Sequence, residues 1–381
     1  MKKTTLLLLL VALLLSVMAC ELFYEDEYYD EGDYDEEGYY DEEYPEGEYS
    51  EEDPVEASAE ETVSALPGGD SSADCVNGET YHNDVGLCYL DGGQAEGLFT
   101  SMMVGVTEYG DDFEEDLLDD EYVLVRYTID GNEIHSPVNE SVSSDLQDEQ
   151  DNTELHESIW NFYAAMIPQD ARDFVTYYNV ATDGLGGTLA SVEQDPSDPY
   201  SWVLNVDISD TEDLRELTFT LIHEYGHLLT LNEDQIDINE EIFYNPDDDD
   251  VYYTAEENCS TYFPGEGCAK SNSYIYLFYR EFWTDFYDEW SEIQYIEDDD
   301  EYYDALDNFY YKYEDQFVTD YAATNVGEDI AESWAFFITH PRPAGNTIAE
   351  EKVLFFYDFP ELVQLREEIV ARAYSRLIRM Q

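Results

Sequence analysis

Apolar residues in this chain fall into two kinds of block, one with the short period of strands and one with the longer period of helices. Tyr122 to Ile129 (Tyr-Val-Leu-Val-Arg-Tyr-Thr-Ile) is rich in β-branched and aromatic residues and ends in the turn pair Asp130-Gly131, which predicts a strand. Leu155 to Ile167 has helical spacing and stops at Pro168. Three strand candidates follow, Phe174 to Val180, Thr188 to Glu193 and Trp202 to Ile208, punctuated by Gly184, Gly186, Gly187, Pro196 and Pro199. Asp210 is placed to cap a helix from Thr211, with Glu212 and Asp213 favourable in its first turn. Leu214, Leu217, Leu221, Leu228 and Leu229 make that helix largely buried as far as Leu231. Gly226 inside it costs about 1 kcal/mol against alanine, so close approach of another element is expected there. Further helices are predicted over Tyr274 to Trp290, Asp304 to Phe317, Asp329 to His340 and Glu361 to Met380. Pro341-Arg342-Pro343 stops the third, and Arg366, Arg372, Arg376 and Arg379 favour the C-terminal half of the last. Strands early and helices late make an α+β chain with a small mixed sheet and a helical C-terminal part.

Charge changes this picture at two places. The 381 residues carry 93 acidic and 14 basic side chains, a net charge of −79. Between Glu21 and Ala65 there are 21 acidic residues and no basic one. Residues 21–66 are thus expected to be a disordered, Tyr-rich acidic tether, spanning roughly 35–40 Å or more. The remaining chain is also strongly acidic, which argues against nucleic acid as a partner because phosphate binding needs Lys/Arg patches. Such a surface keeps a protein soluble and would attract cationic substrates or bind divalent cations weakly, and adaptation to a salty or calcium-rich medium is the reading favoured over substrate steering. Residues 232–272 are a second acidic stretch, expected to be an insertion loop. Its run Asp247 to Asp250 lacks the D-x-D-x-D-G order of a calcium loop and reads as solvated.

The first 20 residues read as an export signal, with Lys2 and Lys3 before the apolar run Leu6 to Leu15. Val17-Met18-Ala19-Cys20 resembles the bacterial lipoprotein lipobox, with Val17 where leucine is commoner. That resemblance implies cleavage before Cys20, lipidation of Cys20 and an extracytoplasmic, envelope-anchored protein whose only membrane contact is the lipid. In an exported chain the other cysteines are expected to be oxidised. Cys75, Cys88, Cys259 and Cys268 form two sequence-local pairs, although four cysteines allow three pairings. The first pair would staple a small segment at 67–97, ahead of a catalytic domain at 98–381.

The chemistry centres on Leu221-Ile222-His223-Glu224-Tyr225-Gly226-His227-Leu228-Leu229. His223 and His227 lie one helical turn apart on one face, so both imidazoles can reach one cation. Glu224 is rotated off that face and can reach a water on the cation without ligating it. This is the H-E-x-x-H zinc signature. A tetrahedral catalytic zinc needs a third protein ligand. The positions that metzincins fill with glycine and histidine are here Thr230 and Glu233, and the downstream motif of thermolysin is absent; Glu233 is a reserve ligand. About a hundred residues on comes Tyr321-Ala322-Ala323-Thr324-Asn325-Val326-Gly327-Glu328-Asp329-Ile330-Ala331-Glu332. Glu328 and Glu332 are again one turn apart, and Ala331 between them allows tight packing against the active-site helix.

These two motifs resemble the gluzincin metallopeptidases of the anthrax lethal factor type and the zinc-binding metallopeptidases of bacterial lipoproteins. Their pattern is HExxH, then a tyrosine seven residues before the glutamate that opens an E-x-x-A-E helix. The resemblance covers both motifs and the order of elements from about Leu98, but not the tether, the 67–97 segment or the 232–272 insertion. It implies a zincin-like fold with zinc held by His223, His227 and Glu328. Glu224 would be the base, Tyr321 would stabilise the oxyanion, and Glu332 would hold a ligand histidine in its tautomer. The substrate would be a peptide or protein. Trp202 to Asp207 is expected to be an edge strand able to take substrate by strand addition. The rival reading is a non-catalytic surface binding or adhesion lipoprotein on a zincin scaffold; a calcium-binding spacer rests on charge alone. His82, His135, His156 and His340 have no second metal partner nearby and read as surface or packing residues.

Overall fold

The structure, a computed structural model, describes residues 75, 78–82, 86–90, 92–106, 116–185, 187–296 and 298–379. The export signal at 1–20 with Cys20 and the tether at 21–66 lie outside the described residues. The architecture is mixed α+β, with a sheet in the first half and helices in the second.

A hairpin of β1 (Thr80–His82) and β2 (Leu87–Tyr89) is stapled by the disulfide Cys75–Cys88 and followed by helix α1 (Glu96–Met102). Arg366 of the C-terminal helix donates to Glu96 at 2.8 Å and Arg379, just after that helix, pairs with Glu79, so two arginines fasten this segment to the rest. Strand β3 (Asp116–Asp130) turns at Gly131, whose φ of +63° a side chain would strain, into β4 (Glu133–Asn139). Helix α2 (Thr153–Met166) buries Trp160 and Tyr163. Strands β5 (Val175–Leu185), β6 (Ala190–Asp195) and β7 (Asp198–Asp207) complete a five-stranded sheet of order β4-β3-β5-β7-β6. Only β5 and β7 pair in parallel. Trp202 to Asp207 therefore is not an edge: β7 is buried between β5 and β6, and β6 is the edge on that side. The run Trp-Val-Leu-Asn-Val-Asp is buried at every position, its Asn205 and Asp207 included, because it lies inside the sheet.

Helix α3 (Leu214–Leu231) carries the H-E-x-x-H motif. It starts three residues later than Asp210 would have it: Asp213, in extended conformation, accepts from the Arg215 and Glu216 N–H groups at 2.8 and 3.4 Å and is the true cap. The 232–272 stretch is not a loop. It folds into a small ladder of β8 (Ile236–Ile238) and β9 (Gly267–Ala269), enclosing helices α4 (Glu240–Tyr244) and α5 (Asp249–Asn258) and the disulfide Cys259–Cys268. The aspartate run supplies the start of α5, where Asp248 accepts from the Asp250 and Val251 N–H groups and the next two aspartates meet the positive helix end. Helices this short carry too few apolar positions to show a period.

The expected helix from Tyr274 is two, α6 (Tyr274–Phe282) and α7 (Tyr287–Ile293), because the intervening turn buries both Trp283 and Phe286. Helix α8 (Asp299–Tyr313) begins earlier than Asp304, capped by Asp298. Helices α9 (Val326–Thr339), α10 (Ile348–Phe355) and α11 (Pro360–Leu377) close the chain. No helix among the described residues is long and apolar enough to cross a membrane.

Candidate metal centre

Two helices build the site, and their contact explains two small residues. A Cβ on Gly226 would lie 3.0 Å from the Ala331 Cα and 3.1 Å from the Trp334 ring, so α3 and α9 meet closely at Gly226 and Ala331 with the Trp334 ring alongside. That contact brings His223 and His227 of α3 against Glu328 and Glu332 of α9. Asn325 fixes the start of α9 by accepting from the Glu328 N–H at 3.0 Å, which sets Glu328 in the first turn.

Three atoms converge. The Nε2 atoms of His223 and His227 are 3.0 Å apart, and each lies 3.1 Å from Glu328 Oε2. On its far side His223 Nδ1 is 2.9 Å from Glu332 Oε1, and the other Glu332 oxygen accepts from the Thr319 hydroxyl at 2.7 Å. A fully buried carboxylate at Nδ1 keeps the proton there, so the His223 Nε2 lone pair points at the triangle. Lone pairs of two imidazoles and a carboxylate facing one another repel unless a proton or a cation lies between them. A tetrahedral zinc with ligand bonds of about 2.0–2.1 Å places its donors about 3.3 Å apart. The triangle is a few tenths of an ångström tighter, so its donor types and size fit that ion.

Glu224 is buried in the same place, within 4.8 Å of both imidazoles. Burial pushes its carboxyl up to about 7; the two histidines and the Val192 N–H of the edge strand β6 pull it back, and Glu328 pushes with burial. Burial also works to raise Glu328, but His227 and His223 outweigh it and draw the carboxyl down to about 2. Two carboxyls that face the same pair of histidines thus differ widely in proton affinity, one suited to ligating and one to exchanging a proton near neutrality. The Tyr321 ring, also buried, stands 5.9 Å from the His223 ring in the turn before α9.

All five motif residues and Tyr321 are therefore brought together, and Glu233 is not: it is exposed, and its backbone carbonyl accepts from Lys270. His82 stacks on Tyr89, His340 on Phe336, and His156 pairs with the Tyr127 hydroxyl at 2.9 Å, while His135 is exposed. Both expected disulfides are formed.

Sequence reasoning missed Thr319, the Val192 N–H and the pair beside the site formed by Asp329 and Lys352. Lys352 Nζ and the Trp283 indole both donate to one Asp329 oxygen, and the two charged groups are wholly buried. It also missed a group of acids at the ends of the parallel strands, where carboxylate oxygens of Asp183, Asp207 and Asp210 lie within 4.8 Å of one another. Burial raises the Asp207 carboxyl well above the usual range, the Asp183 and Ser209 N–H groups oppose it, and the Asp183 charge adds to it. None of these has a fixed spacing that a single sequence reveals. Compared with known proteins, the chain matches no family model, no curated protein and no solved structure.

Proposed function

We propose that this protein is a zinc metallopeptidase with a zincin-like catalytic domain, exported and anchored to the bacterial envelope through a lipid on Cys20. The observation that carries the reading is the triangle of His223 Nε2, His227 Nε2 and Glu328 Oε2 with edges of 3.0–3.1 Å, flanked by a buried Glu224. The motifs resemble those of gluzincins, and the helix contact at Gly226 and Ala331 supports that resemblance by bringing the two motifs into one site.

Zinc bound by His223, His227 and Glu328 would supply Lewis acidity toward water and the scissile carbonyl. Glu224 takes the proton from the attacking water and returns it to the leaving amine, work suited to a carboxyl raised toward neutrality. Glu332 keeps the His223 proton on Nδ1 and is itself oriented by Thr319. The Tyr321 hydroxyl donates to the oxygen that gains charge. The edge strand β6, whose Val192 N–H already bonds Glu224, is the place for an extended peptide to add a strand. A non-catalytic binding lipoprotein would leave the placement of Glu224 without a purpose.

The test is zinc content of the full chain beside Glu328→Ala and Glu224→Gln. One zinc per chain is expected, with a clear loss in the first variant. The second should keep its zinc and lose peptide hydrolysis by on the order of 10²–10⁴-fold. No zinc in the folded parent, or normal hydrolysis by Glu224→Gln, would refute the reading.

A further inference from the structure

The acidic insertion forms part of a cavity whose lining includes residues next to Glu328 in the chain. Together with α7 and the turn before α9 it encloses a cavity of about 190 Å³, lined by aromatic rings and carboxylates. Tyr252, Tyr262, Tyr287 and Trp290 form the walls, with the Tyr287 and Trp290 rings 5.3 Å apart and those of Tyr262 and Tyr287 6.2 Å apart. Thr324, Asn325 and Gly327, the residues just before Glu328 in the chain, line one side, and Leu231 at the end of α3 lines another. The Trp290 indole donates to the Thr324 carbonyl at 2.7 Å, so this wall is tied to the turn that positions the metal ligand.

The carboxylate is held as firmly as the rings. The Glu266 carbonyl accepts from the Asn239 N–H at 2.8 Å, the next residue, Gly267, is paired in the β8–β9 ladder, and the disulfide Cys259–Cys268 closes the loop. Its own N–H serves the side chain, yet Oε2 is shielded from solvent with no hydrogen-bond partner. Burial raises this carboxyl to about 7, and His227 is close enough to pull it back. Glu256 stands at the mouth. No lysine, arginine or histidine is among the described residues lining the cavity.

Aromatic rings around a small space favour a cation, and the unpaired Glu266 carboxylate oxygen among them requires a donor. The volume suits one side chain and not a larger ligand. We infer that this cavity is a substrate subsite that receives the side chain of an arginine or lysine, its cationic end on Glu266 and its stem between the tyrosines and Trp290. The inference rests on the peptidase reading for its substrate and names the class of peptide that the site selects. The chain's own charge of −79 works in the same direction, drawing basic peptides toward it.

Two measurements test it. The zinc-loaded full chain is given a peptide library of mixed sequence, and arginine or lysine should be enriched at one position relative to the cut. Replacing that arginine by citrulline, which keeps its shape without its charge, should lower kcat/KM roughly tenfold or more. Independently of turnover, Nα-acetyl-arginine amide is titrated into Glu224→Gln and followed by tryptophan fluorescence. Saturable binding is expected, absent for Nα-acetyl-citrulline amide and weakened in a chain that also carries Glu266→Gln. Should the Glu266 variant fail to fold, the arginine–citrulline contrast in the unaltered pocket still decides. Binding of the arginine amide and not the citrulline amide, with no peptide cut, would refute the peptidase and support the pocket. Peptides cut without any preference for a basic residue, and no contrast between the two amides, would overturn the pocket and leave the peptidase standing.

Discussion

Gly226→Ala puts the contact between the two helices that carry the proposed metal ligands to a quantitative test. The added Cβ would meet the Ala331 Cα at 3.0 Å, the Trp334 Cδ1 at 3.1 Å and the Ala331 Cβ at 3.3 Å. The first of these is backbone, and Trp334 is fully buried, so neither can swing aside. Overpacking of this kind costs about 1–3 kcal/mol. Replacing a mid-helix glycine returns about 1 kcal/mol of helix propensity. The net is a loss of up to about 2 kcal/mol, or a fall in Tm of up to about 6 °C for a domain of this size. Because α9 carries Glu328 and Glu332, zinc affinity should fall as the helices separate. Gly97→Ala in α1 is the control, since a Cβ there meets nothing within 4 Å and the position is exposed. That variant should be neutral or gain up to about 1 kcal/mol. Thermal melts and a zinc competition titration on both variants would settle the matter. Equal rises in Tm for the two would mean that close packing at Gly226 is not what holds the site together.

Glu332→Gln keeps the shape beside His223 but removes the charge that holds its tautomer; zinc affinity measured against a chelating dye should fall about 10–100-fold, and an unchanged affinity would sink that role. Lys352→Met leaves Asp329 buried without its cation and should cost about 3–5 kcal/mol in urea unfolding, whereas adding Asp329→Asn should recover part of the loss. Asp207 has a folded-state proton affinity raised by burial, so its contribution is fully present below the ordinary carboxylate range and is lost as pH rises through neutrality. The wild-type chain should therefore lose stability from about pH 4 upward relative to Asp207→Asn, and parallel pH profiles of the two would contradict the burial argument.

The split between what the chain announces and what only folding decides runs through the site itself. His223, Glu224 and His227 are legible because four residues on a helix is a fixed distance, and so are Glu328 and Glu332 as a pair. Gly226 and Ala331 announce a close contact for the same reason: bulk is missing where a regular helix would tolerate it. Periodicity also located the strands and the buried helix, since one-sided burial leaves its mark on the order of residues. Strand order is not written in the local pattern of either strand, so Trp202 to Asp207 reads as an edge although β6 holds that place. Caps depend on backbone angles, which is why Asp213 and not Asp210 begins α3.

The acidic insertion read as solvent-facing because its charge pattern is that of a loop. Its fold depends on Asn239 and Asp248 capping two short helices and on a disulfide that closes them into the wall of a cavity. The sequence by itself determined which side chains could meet within one helix, and hence the motif chemistry. Only the tertiary structure decided what stands across from them: Glu332 on His223, Thr319 on Glu332, and the aromatic pocket with Glu266 beside Glu328. The reason is physical. Spacing along a helix is set by local geometry, whereas contacts between segments a hundred residues apart are set by which surfaces bury best against each other.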